Sequence, residues 1–144
     1  MLRGNWRQVF LSGPYAVKVP RPEPDRAPGA LCLSRWELEM WTIWRPRFGW
    51  PHLCPVVWGD PEGHVLVMER ATQDVVLEEI VAFEEAWMAS QRLELPGEEA
   101  KPEDWGHLPG GRLVVCDYGY ACDSDEAIER QRRDYAEQLR LRGS

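Results

Sequence analysis

Glycine and proline, twelve of each in 144 residues, cut this chain into short apolar runs. No run reaches the roughly 18 apolar residues of a membrane span, and MLRGNWRQVF has no signal-peptide core. Gln8–Leu11 and Tyr15–Val19 flank Ser12-Gly13-Pro14, which predicts a hairpin. After the loop VPRPEPDRAPG, Trp36, Met40, Trp41 and Trp44 recur at helical spacing, and Pro46 is expected to stop that helix at Arg45. Pro55–Trp58 and His64–Glu69 around Gly59–Gly63 predict a second hairpin. Val76, Ile80, Phe83 and Trp87 form the stripe of a helix over Gln73–Leu93. Leu95–Gly111 reads as a loop, Arg112–Asp117 as a strand, and Ser124 onward as a charged helix with an Asp123/Glu126 capping box. The fold class is α+β: a small antiparallel sheet with one packed helix, then a reduced helical part. One domain, 1–144, is expected, with a sheet-rich part at 1–71 and a reduced helical part at 72–144.

With 24 acidic against 17 basic side chains, the net charge is −7. That weighs against a general nucleic-acid-backbone binder and suits a partner with a basic surface. Cys32, Cys54, Cys116 and Cys122 lack metal-ligand spacing, so no metal site is expected, and they read as buried thiols in a reducing cytoplasm. Of the 17 basic residues only Lys18 and Lys101 are Lys, and Asn5 is the one Asn, a usage that suggests a high-GC, thermophilic source.

Five places along the chain line up with the protein-kinase signature set. Tyr15-Ala16-Val17-Lys18 resembles the strand whose Lys holds nucleotide phosphates, and Glu37 stands where the helical Glu would pair with it. Leu66–Arg70 resembles the strand entering the adenine-binding hinge. Glu99–Asp104 mirrors the catalytic loop, Lys101 matching its Lys, and Val114–Gly119 resembles the metal-binding Asp-Phe-Gly turn with Tyr118 for Phe. The resemblance covers Tyr15 to Gly119 and implies a kinase-like fold.

The departures bear on activity. Glu99 stands at the catalytic-Asp position without a preceding His-Arg, and Asp104 replaces the metal-binding Asn. The glycine-rich phosphate loop is reduced to Gly4, with Trp6 and Arg7 where small residues belong. Only 25 residues follow Gly119, so an activation segment is expected to be missing. Lys18, Glu37, Glu99, Asp104 and Asp117 therefore read as relic positions, with no catalytic residue and no cofactor expected.

Plainer readings stand beside these. Lys18 also suits a sheet-edge lysine, and Glu37 also suits a Ser34 capping box; a helix starting near Pro28 would leave Glu37 mid-helix and able to reach Lys18. Asp117 also suits a turn cap, and Glu98–Asp104 a solvated acidic loop. Trp36, Trp41, Trp44 and Trp87 read as core, while Trp6, Trp50, Trp58 and Trp105 sit by turns where exposure is possible. The last helix has a narrow stripe, Ile128, Tyr135 and Leu139, too thin for deep burial. It reads either as a solvated outer helix or as a docking helix offering Arg132, Arg133, Tyr135 and Arg140 to a partner.

The chain also resembles small, degenerate kinase-like phage proteins and, in size and composition, small phage inhibitors of bacterial RNA polymerase from Thermus hosts. The resemblance implies a non-catalytic protein in the cytoplasm of a bacterial host, binding RNA polymerase and its sigma factor and inhibiting transcription initiation. It implies no membrane and no sequence-specific nucleic acid. The alternatives are a minimal ATP-dependent phosphotransferase and an ATP-sensing pseudokinase.

Overall fold

The computed structural model describes residues 2–3, 6–91, 101–119 and 125–143. Strands β1 (Leu2–Arg3), β2 (Arg7–Ser12) and β3 (Tyr15–Pro20) are followed by helix α1 (Ala27–Glu39). A π-helical turn at Met40–Trp44 leads into the short α2 (Arg45–Phe48). Next come β4 (Val56–Gly59), β5 (Leu66–Glu69), α3 (Leu77–Gln91), β6 (Trp105–His107), β7 (Leu113–Val115) and α4 (Asp125–Arg142). The class is α+β, as the punctuation predicts. An antiparallel sheet runs in the order β1-β2-β3-β5-β4, and β6 and β7 form a second, two-stranded one.

Gly13 makes the first hairpin possible, since its φ of 54° is a conformation that costs side-chain-bearing residues strain. Register then sets Lys18 between Val9 and Leu66, and Ala16 between Leu11 and Met68. Strand alternation puts Arg7 and Val9 on that same face, where Leu66 and Met68 are buried and α1 packs. Phe10, Val17, Val67 and Trp58 occupy successive register positions on the opposite face.

Helix α1 carries Pro28 in its first turn, which decides between the two starts considered for it. Ser34 is buried in the body of the helix, and Glu37 lies mid-helix on the face turned to the sheet. Pro46 does not end the helix. The π turn lets the Arg45 N–H reach the Met40 carbonyl, and the Arg45 side chain takes the Trp41 carbonyl at 3.1 Å. The helical run stops three residues later, at Gly49, with φ 70°.

Other expectations are corrected. Within the span read as a loop, Trp105–His107 pair with β7. Val76 is 57% exposed because α3 starts one residue after it; Val75 is buried in its place, beside Ile80 and Trp87. Of the Trp residues beside turns, Trp58 is 56% exposed, in line with that reading, while Trp50 and Trp105 belong to the core. The stripe of α4 buries Tyr135, which is 5% exposed and packs against Trp36, Trp44, Phe48 and Trp50. Cys32 is disulfide-bonded, against the expectation of free thiols; Cys54 and Cys116 are free. The Asp123 cap lies outside the described residues. One cluster of buried side chains joins the two parts of the chain, from Trp36 to Tyr135. Among the described residues no helix is long and apolar enough to cross a membrane.

Candidate functional site

Where α1 faces β2 and β3, two cations and two carboxylates meet. The Lys18 Nζ donates to Glu37 Oε2 at 3.3 Å and to the Cys116 carbonyl at 2.5 Å. Arg7, two residues before Val9 and on the same strand face, donates through Nη1 to Glu37 Oε1 and through Nη2 to Asp117 Oδ1 at 3.2 Å. Its Nη1 also reaches Ser34 Oγ at 3.3 Å. Behind them the Tyr118 N–H donates to Glu37 Oε2 at 3.2 Å, and the Tyr118 hydroxyl to the Cys54 carbonyl at 3.1 Å. Arg7, Lys18 and Glu37 are all buried, while the Asp117 side chain is half-exposed.

The electrostatics follow from that packing. Burial alone would push the Glu37 carboxyl upward, but Arg7, Lys18 and the Tyr118 N–H outweigh it and hold Glu37 below its ordinary range. Burial likewise works against the Arg7 charge, and Glu37 and Asp117 overcome it. Asp104 differs. Its own burial, then Asp117 and Glu103, push its carboxyl up to about 6. The Asp104 carbonyl accepts from the Cys116 N–H at 2.6 Å, which brings the Pro102–Asp104 turn alongside the segment that leads from β7 to Asp117.

Thus Lys18, Glu37, Asp104 and Asp117 converge, as their order along the chain predicts. Glu99 lies outside the described residues, and Lys101 is exposed. Arg7 is the residue that sequence reasoning missed, having been read only as a mismatch in the glycine-rich loop. Its signal was its position two residues before Val9, on the face that carries Lys18. Gly119 closes the turn against α1; a Cβ there would stand 2.8 Å from both the Leu33 carbonyl oxygen and Glu37 Cγ. Among the described residues no group of three His, Cys, Asp or Glu side chains is placed to hold a metal ion.

The expected docking residues divide. Tyr135 belongs to the core and is not an exposed anchor. Arg132 holds Glu39 of α1 through Nε and Nη2, the latter at 2.6 Å, and also contacts Glu129. Arg133 is exposed, and so is Arg140, which pairs with Glu137 at 2.6 Å. A second polar cluster was not anticipated: His107 Nδ1 lies 2.8 Å from Asp74, and its Nε2 lies 2.7 Å from Glu79 on α3. Compared with protein-family models, curated proteins and solved structures, the chain matches none of them.

Proposed function

We propose that this chain is a non-catalytic, kinase-like binding protein of phage origin that grips host RNA polymerase and its sigma factor and inhibits transcription initiation. The observation that carries the non-catalytic half is the seating of Arg7. Phosphoryl transfer uses a Lys held by its helical Glu to meet the phosphates, and an Asp free to hold a metal ion. Here the Lys18–Glu37 pair is kept, but the Lys18 ammonium also donates to the Cys116 carbonyl, and a second buried cation sits on both Glu37 and Asp117. A guanidinium bridging two carboxylates fills the role a metal ion would otherwise fill, and it cannot be deprotonated.

The binding half draws support from the sheet face opposite α1. Phe10 and Trp58 are exposed at the two ends of a register row through Val17 and Val67, with exposed Tyr15 beside it. A contiguous apolar row containing Trp and Tyr has the composition of an interface centre. The net charge of −7 suits a basic, nucleic-acid-facing surface on the partner.

The test is capture from host lysate with wild type and Trp58→Ser, read by mass spectrometry. Polymerase subunits recovered by wild type and depleted with the variant support the reading; recovery of no polymerase subunit removes that partner. A second reading, an ATP-sensing pseudokinase or a minimal phosphotransferase, is favoured by the Lys18–Glu37 pair alone. Saturable binding of magnesium–ATP would favour it over the first, and transfer of the γ-phosphate to a substrate would establish the phosphotransferase.

A further inference from the structure

Cys54 and Cys116 are free thiols far apart in sequence, and the backbone holds them in register. Leu53 and Val115 form a parallel bridge: the Val115 N–H donates to the His52 carbonyl at 2.7 Å, and the Cys54 N–H to the Val115 carbonyl at 2.9 Å. One step along that bridge stands Cys54 on one segment and Cys116 on the other. Paired positions on parallel strands send their side chains to the same side, across an interstrand spacing of about 4.8 Å. That spacing lies inside the window of roughly 4.4–6.8 Å between Cα atoms that a disulfide requires. The two thiols are close enough to shift each other's titration in opposite directions, Cys54 up and Cys116 down, and the Cys54 Sγ donates to the Glu69 carbonyl at 3.2 Å. Cys54 is buried, whereas Cys116 is only partly so.

We propose that Cys54 and Cys116 form a reversible disulfide by exchange with a small-molecule disulfide, and that the bond fastens the Asp117-Tyr118-Gly119 turn to the sheet. The chemistry balances in two exchanges. The Cys116 sulfur attacks one sulfur of the oxidant, forming a mixed disulfide and releasing one small thiol. The Cys54 sulfur then attacks the Cys116 sulfur and releases the second. Two protein thiols are oxidised by the loss of two hydrogens, and the oxidant's S–S bond is reduced by gaining them.

The consequence is local to the buried ion cluster. The carbonyl of Cys116 accepts from Lys18, and the carbonyl of Cys54 accepts from the Tyr118 hydroxyl. A bond between these two residues therefore ties together the main-chain groups that seat Lys18 and Tyr118. In the dithiol form the same contact rests on the Leu53–Val115 bridge and side-chain packing. The inference rests on this juxtaposition and not on the proposed partner.

The test equilibrates the full-length chain across ratios of reduced to oxidised glutathione. The readouts are intact mass, alkylation of thiols after rapid unfolding, non-reducing peptide mapping and melting temperature. The expected result is joint protection of Cys54 and Cys116 with a single midpoint, a loss of the mass of two hydrogens beyond that of the Cys32 disulfide, and a mapped peptide containing both. Closing so long a loop raises Tm by about 5–15 °C, reversibly with a dithiol reductant. Cys54→Ser is expected to trap the glutathione adduct on Cys116, and Cys116→Ser to show neither adduct nor link. Cys54→Ala gives a second variant should Ser disturb packing. Wild-type chain that accumulates the glutathione adduct without the link, or keeps both thiols alkylatable at the oxidising extreme, would overturn the proposal.

Discussion

Glu37 neutralises two cations inside the protein, and among the described residues its removal leaves Lys18 with only the Cys116 carbonyl and Arg7 with only Ser34 and the half-exposed Asp117. Breaking a buried ion pair from one side costs about 3–5 kcal/mol, because the remaining charge is left in low dielectric without compensation. Glu37→Ala is thus expected to lower unfolding free energy by that amount in urea titration, and Glu37→Gln by less, since the amide still accepts hydrogen bonds. His52 makes the opposite case. It is fully buried among Phe83, Trp87 and Trp105, and neither ring nitrogen has a hydrogen-bond partner. Burial drives its pKa down to about 3. Between pH 6.5 and 3 the unfolded chain binds a proton there that the folded chain does not, so stability falls as pH falls through that window. His52→Leu is expected to raise stability near neutral pH by about 1 kcal/mol, from relief of the unpaired nitrogens. It should also flatten the acid slope of unfolding free energy. Unchanged acid sensitivity in the variant would refute the assignment. His52 gave no sequence signal beyond its presence before Leu53, because what makes it unusual is the company tertiary packing gives it.

Two contacts position the elements. Gly119 lies against α1, and Gly119→Ala drives a methyl into the Leu33 carbonyl, a backbone atom that cannot step aside. The expected cost is about 1–3 kcal/mol, with weakened seating of Tyr118 on Glu37; a melting temperature equal to that of wild type would contradict it. His107 ties β6 to the first turn of α3, and hydrogen bonds to Glu79 and Asp74 raise its pKa. The folded chain keeps that proton at pH values where the unfolded chain releases it. The stabilisation is therefore complete below about pH 6.5 and is lost as pH rises through the higher folded value. His107→Gln should remove this alkaline-side decline, measured by Tm across pH 5.5–8.5. Elements with a strong local pattern were legible: the β2–β3 hairpin from Gly13, and α1 from its Trp and Met spacing. The three-residue β6 was not, since its pairing is supplied by β7 and nothing in Trp-Gly-His alternates. The π turn escaped for a related reason: Pro46 signals a stop, and only the Arg45 side chain caring for the Trp41 carbonyl lets the helix continue.

Among the described residues one buried cluster runs from Trp36 to Tyr135, and α4 packs on α1 and the turns that follow it. Tyr135 seats α4 on that core, so Tyr135→Ala is expected to cost about 3–5 kcal/mol. Arg132→Ala should cost under about 1 kcal/mol, because its pair with Glu39 is partly solvated. Equal losses from the two would contradict a helix held by its aromatic anchor. The candidate site was legible in the order of Lys18, Glu37, Asp104 and Asp117, yet its chemical meaning turned on Arg7. That residue adds a buried cation to a cluster that would otherwise have an acceptor free for another ligand. The most direct measurement is the melting temperature of the wild-type chain with and without millimolar magnesium–ATP. A ligand present at a hundred times its Kd contributes about 2.7 kcal/mol, several degrees for a chain of this size. The expected result is no shift; a saturable rise of several degrees would contradict a site whose charges are already spent on one another.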